Sequence, residues 1–287
     1  MAKRLDGDEK DLGGFEVARI LPNREKKMVG PFIFFDHIGP ASFEAGDGIN
    51  VRPHPHIGLA TVTYLFSGSI LHRDSLGSVQ EIHPGDVNWM IAGHGIVHSE
   101  RETIEVRAHP HPLHGLQLWV ALPPAHETTD PDFIHVSKND LPCIYQPGVM
   151  MRLIVGEAYG RRSPVRTFSP MFYLDVLANK GTVLSHPQPG MEAAIFIVSG
   201  AVAFGEERYI AGEFVLLDLN DAQIRVDEDS RFVLLGGQKF EQIPHINWNF
   251  VAYDRARIDQ ARERWTRGEF PSIPGDDLEH IPLPTTR

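Results

Sequence analysis

The chain has 287 residues, enough for one large domain or two of ordinary size. Its 23% charged and 42% apolar content is ordinary for a globular protein, and a net charge of −11 disfavours a surface that tracks nucleic-acid phosphates. Cys143 is the single cysteine, which excludes disulfide frameworks, iron–sulfur clusters and cysteine-based zinc sites within one chain.

Met1 to Gly14 is charged and glycine-bearing, without the apolar core of a signal peptide. No apolar run approaches the ~20 residues that span a bilayer. A cytoplasmic protein with no membrane partner is expected. Glycine and proline then punctuate short runs rich in Val, Ile, Leu, Phe and Tyr, which is a strand signal. The first long strand is expected over Val51 to Phe66, the second over Gly95 to Glu100 and the third over Leu116 to Leu122. Further strands are expected over Phe172–Leu177, Ala194–Val198, Phe214–Leu219 and Phe232–Leu235. Helical periodicity appears only from about Asn249 to Thr266, where Val251, Ile258 and Trp265 recur among charged residues. The expected fold is all-β with few short helices, one of them near the C-terminus.

The chain also repeats itself. Tyr64-Leu-Phe-Ser-Gly68 returns as Ile195-Phe-Ile-Val-Ser-Gly200, and Pro84-Gly-Asp-Val-Asn-Trp-Met90 has a partner in Ala211-Gly-Glu-Phe-Val-Leu-Leu217. Two copies of this size point to a duplicated β-domain rather than a solenoid. Prolines cluster between about Leu122 and Ser163, so the expected domains are 1–135 and 136–287.

Two pairs of metal-type side chains stand at alternate positions, His54-Pro-His56 and His98-Ser-Glu100. Side chains at i and i+2 of a strand share a face, so each pair aims two ligands in one direction. If the strands face each other, three imidazoles and a carboxylate converge, a set that suits a divalent transition metal. In the expected 51–66 strand, Gly58, Ala60, Val62 and Tyr64 would follow the histidines on that face. The second half offers His186 and Gln188 opposite His54 and His56, and nothing opposite His98 and Glu100, so one site is expected, in the first half. A rival, His109-Pro-His111 with His114, is flanked by prolines and reads as a loop leading into the Leu116 strand. His72, His83 and His94 read as loop or rim residues. Spacing leaves the metal open among iron, manganese, cobalt, nickel, copper and zinc.

The segments Gly30–His37 (GPFIFFDH), Arg52–Gly58 (RPHPHIG), His72–Ser75 (HRDS), Pro84–Met90 (PGDVNWM), Gly95–Glu100 (GIVHSE) and Leu116–Pro123 (LQLWVALP) closely resemble the pirin family. The second half resembles it in pattern only, as a degenerate cupin would. The resemblance implies a bicupin, two cupin-type barrels with one metal, usually Fe(II), in the N-terminal one, held by His54, His56, His98 and Glu100. General cupins place a Glu shortly after His-x-His. Here Ala60-Thr61-Val62 stands there, and the carboxylate falls at Glu100, which is the pirin arrangement. The resemblance further implies a quercetin (flavonol) 2,3-dioxygenase, an oxidoreductase taking a flavonol-like substrate and O2, with Glu100 as catalytic base. It also implies an alternative, a non-enzymatic iron-dependent regulator or redox sensor that binds a transcription factor or metabolic enzyme. A monomer is expected, because a bicupin already buries the face that single cupins use to dimerise.

Overall fold

A computed structural model of the chain describes residues 2–11, 15–218 and 223–284. Strands dominate them, with two α-helices, Ile104–Arg107 and Arg255–Thr266. The chain forms two compact units. One draws on Glu9–Arg19, Phe34–Lys138 and Gln242–Arg287, the other on Met1–Asp8, Ile20–Ile33 and Asn139–Glu241.

The unit that carries the candidate ligands is built from two sheets. Seven strands form the larger, in the spatial order Asp132–Val136, Val87–Ile91, Leu59–Ser67, His111–Ala121, Phe32–Phe43, Glu16–Leu21 and Asp8–Asp11. Four form the smaller, in the order Val51–His56, Ile96–Arg101, Ile70–Asp74 and Val79–Ile82. Ile38, Leu65 and Leu113 from the first pack with Ile70 and Ile82 from the second in one buried cluster. Apolar burial between the inward faces therefore closes the sheets into a barrel.

The other unit repeats the plan. Its larger sheet holds Glu192–Ser199, Ser230–Gly237, Met171–Ala178 and Val149–Ala158, and its smaller one runs Val183–Ser185, Gln223–Val226, Ala201–Phe204, Glu207–Ile210. The internal repeat has a structural meaning. Gly68 and Gly200 both turn the chain at φ +80°, each between a strand of the larger sheet and one of the smaller. The barrels differ in content, since Met151, Leu153, Phe172, Leu174, Ile195 and Ile224 join an apolar cluster in the second. The fold is all-β with two cupin-type barrels.

Several elements differ from the sequence expectation. The run from Val51 to Phe66 is two strands, broken at Ile57-Gly58, one in each sheet. Gly58 sits at φ +72°, and a Cβ there would collide with the carbonyl of Val251. The break resets the alternation, so Thr61, Thr63 and Leu65 face the barrel interior instead of Ala60, Val62 and Tyr64. The strand expected from Leu116 starts already at His111. The strand expected over Phe214–Leu219 is Phe214–Leu216, and Leu219 lies outside the described residues.

The C-terminal helix starts later than its periodicity suggests. Asp254 caps it by accepting from the Ala256 N–H, and Val251 belongs instead to a strand, Phe250–Ala252. Ile258 and Ala261 bury one stripe of the helix in a cluster with Ile57, Val97, Phe250 and Phe270. Ile57 and Val97 alternate with the ligand histidines, so the C-terminal segment covers the outer face of the strands whose inner face carries the imidazoles.

Candidate metal centre

Strand Ile96–Arg101 runs antiparallel between Val51–His56 and Ile70–Asp74. Its register sets His98 opposite His54 and Ile96 opposite His56. The three histidines consequently turn to one point. Their ring centroids lie 4.3 Å (His54–His98), 4.9 Å (His56–His98) and 5.0 Å (His54–His56) apart. One ligand nitrogen from each falls within 4.8 Å of the other two. All are buried, at 6%, 1% and 1% exposure for His54, His56 and His98.

Hydrogen bonds assign the tautomers of two of them. His54 Nδ1 lies 2.9 Å from the Arg52 carbonyl and His56 Nδ1 3.1 Å from the Asn249 carbonyl. A carbonyl only accepts, so each Nδ1 carries the proton and each Nε2 keeps its lone pair for a ligand. Neither ring nitrogen of His98 has a partner among the described residues, although both are buried. Such orphaned atoms are costly unless something binds them. Burial drives the imidazoles towards the neutral form, His54 to about 4 despite the Arg52 carbonyl, and His56 and His98 well below the ordinary value. Neutral imidazole is the form that ligates metal. By donor type and geometry the three histidines could hold a divalent metal ion.

Glu100 follows on the same strand but reaches a different environment. The register slips between His98 and Glu100, so Glu100 stands opposite Val51 rather than Arg52. Such a bulge re-aims a side chain. The carboxylate faces the larger sheet, where Gln117 hydrogen-bonds to it and the Thr63 hydroxyl lies 3.5 Å away. That hydroxyl gives its proton to Gln117 Oε1 at 2.7 Å. Burial raises Glu100 to about 7 against the pull of Thr63 and Gln117.

Sequence reasoning missed several residues around the three histidines. His72 is no rim residue. It lies buried on strand Ile70–Asp74, bonded through Nε2 to Asp74 at 2.9 Å, stacked on Phe133, with its ring 5.4 Å from that of His98. Its signal was present, since His72-Arg-Asp74 has the same i,i+2 pattern as His98-Ser-Glu100. Trp119 sets its ring edge-on to His56 at 5.1 Å and stacks on Phe34 at 3.9 Å. Beyond Phe34 lies the Arg19 guanidinium, paired bidentately with Asp36 at 2.8 Å. No local pattern announces that chain, which arises only when three strands lie side by side.

The other histidines stand apart. His111 bonds to Glu102 at 3.1 Å, while His114 meets His37 Nε2 at 2.9 Å, so the rival triplet is divided between two environments. His83 and His94 are exposed loop residues. In the second barrel His186 is buried with an unpartnered Nε2, and Gln188 turns to the carbonyl of Glu157.

Residues 14–120 match the family model Pirin, and residues 173–271 match that of the Pirin C-terminal cupin domain. The chain belongs to the pirin family. A pirin-like protein of Caulobacter vibrioides is 42% identical over 284 residues, covering 98% of each chain. Human pirin is 32% identical, over 90% of this chain and 88% of its own. Among solved structures, a quercetin 2,3-dioxygenase from Acinetobacter baumannii superposes with a TM-score of 0.91 at 35% identity, covering 100% of this chain and 96% of that one. Among the described residues of this pirin, no helix is long and apolar enough to cross a membrane.

Proposed function

We propose that the chain is an Fe(II)-dependent dioxygenase acting on quercetin or a related flavonol. The observation that carries this reading is the trio of buried, neutral imidazoles, two with Nε2 freed by a carbonyl and the third with no partner among the described residues. The likeness to a solved quercetin 2,3-dioxygenase supports the substrate class.

In this reading His54, His56, His98 and Glu100 hold the ion. Iron at this position supplies Lewis-acid polarisation of substrate oxygens and electron exchange with dioxygen. Glu100 accepts the proton of the flavonol 3-hydroxyl. Gln117, braced by the Thr63 hydroxyl, orients that carboxylate. Trp119 and Phe34 keep the His56 side apolar and exclude water. Both atoms of O2 end in the products, a ring-opened ester and carbon monoxide.

The test is oxygen uptake with quercetin by iron-reconstituted protein of measured metal content, beside His56→Ala and Glu100→Ala. Uptake by the parent that is lost in both variants supports the reading. A fully loaded parent that neither binds flavonol nor consumes oxygen rejects it and moves the weight to the iron-dependent regulator with a protein partner.

A further inference from the structure

The three ligand histidines are not held alike. His54 and His56 are each oriented by a backbone carbonyl, whereas His98 has no hydrogen bond of its own. Its position must therefore come from its strand, which slips register against Val51–His56 between His98 and Glu100. A bulge removes the ladder's regular constraint at one residue. Pairing with Ile70–Asp74 stays in register from His98 to Arg101, so the side towards Val51–His56 is the one that needs a further hold.

The C-terminal segment supplies the fixture. Ser99 and Arg101, the residues on either side of Glu100, point away from the barrel interior to a single carboxylate, that of Asp276. Ser99 Oγ donates to Asp276 Oδ2 at 2.7 Å, Arg101 Nε donates to the same oxygen at 2.8 Å, and Arg101 Nη2 donates to Oδ1 at 2.8 Å. Arg101 also reaches Glu279 at 3.0 Å and the Asn50 side-chain oxygen. Ser99 is fully buried, and the Arg101 and Asp276 side chains are 18% and 11% exposed, so the pair is largely shielded from water. A bidentate Arg–carboxylate pair fixes orientation as well as distance. The same segment grips the other ligand strand, where Ile281 N–H donates to the Pro53 carbonyl at 2.8 Å beside His54.

We propose that Asp276 is a positioning residue for the metal centre: by clamping Ser99 and Arg101 across the bulge, it sets the aim of His98 and Glu100. Among the described residues Asp276 bonds to Ser99 and Arg101 rather than to the histidines or Glu100. Its contribution is a preformed site, since without the clamp the strand pays the ordering cost when metal binds. Outer partners of ligands typically tune affinity about 10- to 100-fold. The inference rests on the three-histidine site and not on which reaction that site performs.

The test measures Co(II) affinity by chelator competition and records the visible absorption of bound Co(II), which reports ligand geometry independently of turnover. Asp276→Asn and Asp276→Ala are expected to weaken binding about tenfold and to change the Co(II) spectrum, with Asp276→Glu restoring part of both. Arg101→Lys keeps the charge but loses the fork, and is expected to fall between. Asp254→Ala removes the cap of the C-terminal helix without touching Ser99 or Arg101, and is expected to lower thermal stability while leaving affinity and spectrum as in the parent. Should Asp276→Ala fail to fold, Asp276→Asn and Arg101→Lys carry the same comparison. Parental affinity and spectrum in the Asp276 and Arg101 variants would overturn the clamp alone, as would equal losses in Asp254→Ala. A parent that binds no Co(II) would overturn the metal site itself and the clamp with it.

Discussion

His98 stands directly across the strand pair from His54, their rings 4.3 Å apart, yet only His54 has a hydrogen-bond partner. That asymmetry separates function from stability. A buried imidazole with two orphaned nitrogens costs about 1–3 kcal/mol per unmet group relative to a satisfied one. The apo fold carries that cost, and a metal bound there would relieve it.

His98→Leu should therefore keep or raise the unfolding midpoint of chelator-treated protein. It should also abolish the rise in midpoint that added Co(II) gives the parent. Thermal unfolding with and without metal measures both. A variant that unfolds well below the apo parent would show that His98 is held by interactions other than a ligand.

Acid should destabilise the apo protein by a definite amount. Buried His54, His56 and His98 have folded-state values depressed below the ordinary 6.5, so in this range the unfolded state takes up protons that the folded state refuses. Their penalty is absent well above pH 6.5 and grows as pH falls. Glu100, raised to about 7, has the opposite sign, because the folded state binds a proton that the unfolded carboxylate binds only near 4. Between pH 6 and 5 these four groups leave about two protons, or about 2–3 kcal/mol lost per pH unit, and His37, likewise lowered to about 4 by burial, adds to the loss. Urea unfolding of apo protein across that window measures the slope, and Glu100→Gln should steepen it. A flat profile would contradict neutral burial of the trio.

Gly58→Ala should be among the more damaging single-methyl additions. The residue lies at φ +72°, and the new Cβ would meet the Val251 carbonyl of the strand that packs behind Ile57. Strain of this kind costs about 1–3 kcal/mol before the collision is counted. Denaturant unfolding should show at least that loss, and a neutral result would mean that Phe250–Ala252 is not held against Ile57 in solution.

Arg19→Ala should destabilise beyond an ordinary surface change. Arg19 is the bidentate partner of Asp36, which is 2% exposed. Breaking a buried pair from one side costs about 3–5 kcal/mol. Arg19→Ala with Asp36→Asn should recover part of the loss, which a double-mutant cycle by denaturant unfolding would show.

The legibility of this protein in its sequence follows physical range. Alternation within one strand put His54 and His56 on one face, because the i,i+2 rule needs only local geometry, whereas the slip after His98 that re-aims Glu100 was not legible. The Ser-Gly repeats revealed the two barrels, since a turn at φ +80° has a local chemical requirement. The break at Ile57-Gly58 was hidden. The run from Val51 to Phe66 reads as one strand despite Pro53, Pro55 and Gly58, and the collision that demands glycine comes from Val251, nearly two hundred positions away. The partners of the site were hidden for the same reason. The Asn249 carbonyl on His56, the Asp276 carboxylate on Ser99 and the Trp119–Phe34 stack belong to long-range packing. The helix from Arg255 was visible as periodicity, but its destination on the back of the ligand strands was not.

One divalent metal is proposed to sit among His54, His56 and His98, with Glu100 completing the set. Anomalous diffraction from Co(II)-loaded crystals, collected on either side of the cobalt edge, tests it most directly. A single strong peak is expected about 2 Å from the Nε2 atoms of His54 and His56 and a ring nitrogen of His98, with the Glu100 carboxylate turned to it. A peak elsewhere, or full Co(II) occupancy with none at the three imidazoles, would contradict it.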